Sequence, residues 1–105
     1  MDSGEITTAT RSIEINGVKV KEGEVIALLN GEIVNSSDSI INSCTNLLKA
    51  VDMNDREHIT LFFGEDITKE EADRISSSIK KNYPDHELEV HEGGQPHYQL
   101  ILSIE

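Results

Sequence analysis

The stretch that most constrains this chain begins at Ile59-Thr60-Leu61-Phe62-Phe63 and is stopped by Gly64-Glu65-Asp66. An apolar run this rich in β-branched and aromatic residues suits a central strand covered on both faces. Thr68 then opens a helix. Its hydroxyl can cap the first free N–H groups, and Glu71, three residues on, can reach back to the cap's own N–H. Pro84 cannot continue the helix and biases Tyr83 away from helical angles. Leu88 and Val90 alternate with Glu87, Glu89 and His91 as a second strand, which breaks at Gly93-Gly94-Gln95-Pro96. A crossover of this kind makes the two strands parallel, so their carboxyl ends lie on one edge of the sheet. Ligands of open α/β sheets bind outside those ends, so the Gly64 loop and the Gly93 loop are expected to border one site.

The remaining elements are simpler. Met1 to Gly4 are expected to be a disordered start, or one carried over from cloning, and residues 5–11 are β-favouring without a helical period. Asn16-Gly17 and Asn30-Gly31 each stand between apolar stretches. Asn-Gly accepts the two positive φ values of a type I′ turn, so both predict tight hairpins, with Gly23 as a left-handed turn residue between them. Asn35-Ser36-Ser37-Asp38 offers capping side chains for a helix whose Ile40, Ile41, Cys44, Leu47, Leu48 and Val51 recur at helical spacing. Its other face, Asn42, Ser43, Thr45, Asn46 and Lys49, is polar. Residues 52–57 form a polar connection. In the second helix Ala72, Ile75, Ile79 and Tyr83 make a narrow apolar stripe. Tyr98, Leu100, Leu102 and Ile104 form a last strand paired inside the sheet. The expected fold is α/β, bordering on α+β: one domain over 5–105 with a mixed sheet of roughly five to seven strands, two main helices, a hairpin-rich N-terminal half and a β-α-β unit plus final strand.

Charge narrows the partners. Twenty acidic residues against nine basic give a net charge of −11, a field that repels nucleic-acid backbones and anionic lipid surfaces and steers basic partners inward. No apolar run approaches the roughly 18 residues of a membrane span. The single cysteine, Cys44, excludes an internal disulfide and suits a reducing cytoplasm. On the apolar face of a helix it is expected to be a buried structural thiol.

Chemistry is sparse. Gly93-Gly94 can expose backbone N–H groups to another molecule, with Gln95 as a two-way hydrogen-bonding side chain and Pro96 holding the loop, or can simply be a bend that needs positive φ. Glu65 and Asp66 can act as acid, base or metal ligands, or simply meet the positive end of the helix that follows. His91 and His97 flank the glycine loop, but two histidines make no complete metal set. His58 and His86 are expected to face solvent. Phosphate-loop, dinucleotide-binding and nucleophile-elbow motifs do not occur in the chain. The residues by themselves define an acidic α/β interaction or ligand-binding domain.

The run from Ile59 through Gly64-Glu65-Asp66-Ile67-Thr68-Lys69-Glu70-Glu71-Ala72, then Glu89-Val90-His91-Glu92-Gly93-Gly94-Gln95-Pro96-His97-Tyr98, then Ile101-Leu102-Ser103-Ile104-Glu105, resembles the C-terminal end of the dihydroxyacetone-kinase-like, ATP-binding subunits of bacterial fatty acid kinase. Glu5-Ile6-Thr7-Thr8-Ala9-Thr10-Arg11 and the segment from Ile15 to Ile26 are similar to what precedes that ending. The family's ending commonly carries an aromatic-Pro-aromatic pattern after Gly-Gly-Gln-Pro, where this chain has Tyr98-Gln99-Leu100. The resemblance implies a piece of a larger cytoplasmic enzyme. In that family an N-terminal domain binds ATP and Mg, a middle domain supplies dimerisation and catalytic residues, and the C-terminal region engages a DegV-type fatty-acid-binding protein whose acyl carboxylate is phosphorylated. No kinase motif maps onto this chain, so no catalytic residue, cofactor or metal is assigned to it. The expected partner contacts are Gly64, Glu65, Asp66, His91, Glu92, Gly93, Gly94, Gln95, Pro96 and Tyr98. The alternatives are a domain that binds an acyl group or phosphate, and a structural or dimer-stabilising cap. Nucleic-acid binding and membrane insertion are not expected.

Overall fold

Asn30 and Gly31 take φ values of 52° and 85°, the two left-handed positions of a type I′ turn. They join strand β4 (Val25–Leu29) to β5 (Glu32–Ser37), with Leu29 paired to Glu32. The computed structural model describes residues 2–15, 17–96 and 98–105. Asn16, the first residue of the other expected Asn-Gly turn, lies outside them. Its partner Gly17 has φ 79°, and β2 (Ile13–Ile15) pairs antiparallel with β3 (Val18–Val20) as a hairpin should. Gly23 is also left-handed, at φ 90°.

The other elements are β1 (Asp2–Thr8), α1 (Ile40–Lys49), β6 (His58–Phe63), α2 (Lys69–Asn82), β7 (Glu87–Glu92) and β8 (Tyr98–Ile104). Six strands form one mixed sheet in the order β5-β4-β1-β8-β6-β7; β2 and β3 form a separate two-stranded ribbon. The β6–β7 pair is parallel and the remaining neighbours are antiparallel. α1 and α2 lie on one face. Leu47, Leu48, Ile75 and Ile79 pack there against Ile6, Ala27, Ile59, Leu61, Phe63, Leu100, Leu102 and Ile104. The β2–β3 ribbon covers part of the other face through Val20, Ile13 and Val18, which pack with Ile26, Leu28 and Ile33. No helix among the described residues is long and apolar enough to cross a membrane.

Several expectations are corrected. β6 is not covered on both faces: Ile59, Leu61 and Phe63 are buried, whereas His58, Thr60 and Phe62 are only half-buried. Its unbroken apolar run arises because Phe62 stacks on the ring of His91, 5.3 Å between centroids. β1 begins at Asp2, so Asp2–Gly4 are not a disordered start. Gly4 lies against Leu47, whose Cδ1 would stand 2.9 Å from a Cβ there, so the lack of a side chain lets α1 close on the strand. α1 is capped by Ser39, whose Oγ accepts from the Asn42 N–H at 3.1 Å, because Ser36 and Ser37 are still paired in β5. Ser43, placed on the polar face by spacing, is fully buried. Its Oγ donates to the Val25 carbonyl at 2.9 Å and shares a hydrogen with Ser37 Oγ at 2.6 Å, so a buried hydroxyl is satisfied rather than orphaned. The connection after α1 contains a short 3-10 turn (Met53–Asp55) with Met53 buried. His86 does not face solvent: it is half-buried, and its Nε2 donates to the Met53 carbonyl at 2.8 Å.

Cys44 is 1% exposed, and burial pushes its thiol up to about 12, which keeps it protonated and inert, as expected of a structural thiol. At the start of β1, Asp2 accepts from Asn30 Nδ2 at 3.1 Å and from Arg56 Nη2 at 2.8 Å. These two bonds hold its carboxyl below the ordinary 3.8. A depressed folded-state value contributes stability above the unfolded-state pKa, and that contribution is lost as pH falls through the folded one. Asp2→Asn is therefore expected to leave a flatter dependence of Tm on pH below 3.8 than the parent chain shows; parallel acid limbs would remove this role for Asp2.

Candidate functional site

The parallel pairing of β6 and β7 puts both carboxyl ends at one edge, where the two loops interlock. The Gly64 N–H donates to the Gln99 carbonyl at 2.9 Å, the Glu65 N–H to Gln95 at 3.1 Å, and the Gly94 N–H to Phe63 at 2.9 Å. Gln95 closes the arrangement: its Nε2 donates to the carbonyls of Phe62 at 2.9 Å and Tyr98 at 3.3 Å. A backbone carbonyl at the end of a strand thus finds its donor in a side chain of the neighbouring loop. The glycines permit this closeness. A Cβ on Gly64 would clash with the Tyr98 carbonyl oxygen, and one on Gly93 with the Gln95 side-chain oxygen. Gly94 has φ 66° and open space around it, so its need is conformational.

Behind this clasp lies a crevice of about 530 Å³ between the Gly64 loop, the start of α2 and β7. Phe63, Ile67, Ala72 and Val90 supply its apolar lining, and Glu65, Asp73 and Glu92 place three carboxylates there with a single amine, Lys69. The α2 start is built as expected up to one detail. Thr68 Oγ1 accepts from the Glu71 N–H at 3.2 Å, but the Glu71 carboxylate lies 3.4 Å from the Thr68 hydroxyl instead of reaching back to the Thr68 N–H.

The expected contact residues separate into groups. Gly64, Glu65, Glu92 and Gly94 line the crevice. Gly93 and Gln95 belong to the clasp, and the Gln95 amide hydrogens are committed to Phe62 and Tyr98 within the chain. Asp66 and Pro96 are exposed beside it. Tyr98 is 37% exposed, because a register shift between Ile6 and Thr7 pairs it with Thr7. His91 is on the opposite face, stacked on Phe62, with its Nε2 3.6 Å from Glu89 Oε1. His97 lies outside the described residues. Spacing did not single out Ile67, Lys69, Ala72, Asp73 and Val90. The signal was available: Val90 and Glu92 share a strand face, and Lys69, Ala72 and Asp73 share one turn of α2. Among the described residues no group of three or more His, Cys, Asp or Glu side chains is arranged to hold a metal ion.

An α/β interaction domain with an acidic, apolar-floored crevice is the class that this geometry defines. The chain belongs to the FakA-like C-terminal domain family of the fatty acid kinases, whose match runs over residues 1–105. It is 40% identical over 103 residues to an uncharacterised protein of Staphylococcus haemolyticus (strain JCSC1435) and 38% identical over 103 residues to one of Staphylococcus aureus (strain MRSA252). With the protein YloV of Bacillus subtilis (strain 168) it shares 34% identity over 103 residues. Each match covers 98% of this chain and 19% of the relative, so the chain spans about a fifth of the length of these proteins.

The clasp separates the roles of its glycines. Gly64→Ala pushes a methyl into a backbone carbonyl and is expected to cost about 1–3 kcal/mol by overpacking. Gly94→Ala meets only the left-handed backbone cost of about 1 kcal/mol. Denaturant titration of both variants checks the order, and equal costs would contradict the clasp.

Proposed function

We propose that this domain is a non-catalytic docking module of a cytoplasmic fatty acid kinase, engaging the DegV-type fatty-acid-binding protein through the crevice between the Gly64 and Gly93 loops. ATP, Mg and the phosphoryl-transfer residues then belong to other parts of the kinase, and the product is an acyl phosphate. The observation that carries this reading is the crevice itself: an apolar floor of Phe63, Ile67, Ala72 and Val90, held open by the interlocked loops and rimmed by Glu65, Asp73 and Glu92. Such a surface receives an apolar protrusion flanked by basic side chains, and the rim charge speeds encounter with it.

A second reading, capture of part of an acyl chain, draws support from the volume of about 530 Å³, which lies in the range of small-molecule sites. The carboxylate rim disfavours a phosphate or free carboxylate at the mouth, so docking is the preferred reading. Calorimetry with the fatty-acid-loaded carrier is expected to give micromolar binding that Asp73→Arg weakens at least about tenfold. Absence of binding at high micromolar concentration, or indifference to Asp73→Arg, would overturn the docking reading. A rise in Tm with free fatty acid, lost in Ala72→Phe, would favour the second.

A further inference from the structure

β7 stands at the edge of the six-stranded sheet, with β6 as its only strand neighbour there. The Glu87 N–H donates toward β6, to the Glu57 carbonyl at 2.8 Å. Backbone direction alternates along a strand, so the amides and carbonyls of Leu88, Val90 and Glu92 point away from β6. Val90 is 44% exposed, and nothing among the described elements pairs with that side of the strand. An uncovered edge is a template for another chain, and main-chain hydrogen bonds supply the affinity when one adds to it.

Charge and side-chain parity decide what can add. On the open face of the sheet β7 presents Glu87 and Glu89, whose side chains are 84% and 54% exposed, and His91. On the helix face it presents Leu88, then Val90 and Glu92 at the mouth of the crevice. His58 reaches Glu87 at 3.5 Å and Glu89 at 3.3 Å, so the imidazoles of His58 and His91 are the basic groups near these carboxylates. A second copy of β7 would bring carboxylates against carboxylates, and like charges directly opposite destabilise a pair. A strand alternating basic with apolar side chains meets the opposite situation on both faces at once.

We infer that the β7 edge takes up an extended segment of another protein as a seventh strand. Lys or Arg side chains of that segment lie beside Glu87 and Glu89, and its apolar side chains lie beside Leu88 and Val90 toward the crevice. This goes beyond the docking reading, since it fixes a binding mode and the chemistry of the bound segment whichever protein carries it.

The probe is an end-capped decapeptide alternating Lys with Val, titrated into the 105-residue chain and followed residue by residue through amide resonances and hydrogen exchange. Binding is expected to shift and protect the Leu88, Val90 and Glu92 amides. The same peptide N-methylated at alternate residues keeps its charge and apolar surface but loses ladder donors, and is expected not to bind. Val90→Pro removes an outward-facing donor, which an edge strand tolerates, and is expected to weaken binding at least about tenfold with β8 amides unchanged. Glu89→Lys is expected to weaken it similarly. No binding at millimolar peptide, equal binding of the N-methylated peptide, or protection confined to other strands would overturn the inference. The carrier calorimetry described above is unaffected by any of these results, so the two proposals fail separately.

Discussion

The structure depends on the pairing of β8 with both β1 and β6. β8 places Leu100, Leu102 and Ile104, each at most 1% exposed, at the centre of the sheet, and joins a strand formed by the first residues to one formed in the second half. Without it β5-β4-β1 and β6-β7 are two separate ribbons, each with an open edge. Because β1 and β8 are distant in sequence, this closure carries a loop-entropy cost that only the apolar layer beneath α1 and α2 offsets. The Asp2–Arg56 ion pair and the bonds from the Glu57 and His58 amides to the Glu105 carbonyl fasten the same junction at its far end.

The clasp follows from that arrangement. Gly64 donates to Gln99 as β6 ends beside β8, so the β6 loop is held by the strand that centres the sheet, and Gln95 brings the β7 loop onto both. A crevice bordered by such loops is pre-organised, which lowers the ordering cost of binding a partner. The carboxylates around it and along β7 give one end of the domain a single sign of charge, in keeping with a net charge of −11.

Much of this was readable from local chemistry. The Asn30-Gly31 turn, the Thr68 cap, the stop before Pro84, the parallel β-α-β unit and the meeting of its two loops at one edge each follow from a few adjacent residues. What was not readable depends on contacts across the fold. Phe62 reads as core by its neighbours in sequence, yet its cover is His91 on the adjacent strand. Ser43 reads as surface, yet Val25 and Ser37 satisfy it inside. Gln95 reads as an outward hydrogen-bonding group, yet it completes the backbone of β6 and β8. Of the crevice lining, Glu65 and Glu92 were visible as loop residues, while Lys69, Asp73 and Val90 join them only once α2 is laid beside β7.

The central claim, that this domain docks the acyl carrier and takes no part in the chemistry, is tested most directly by steady-state turnover of the full-length kinase with and without these residues. Deletion is expected to raise the KM for carrier-bound fatty acid strongly, leaving KM for ATP and turnover at saturating carrier close to the intact enzyme. A collapse of kcat at saturating carrier, with the truncated protein folded and still binding ATP, would contradict it.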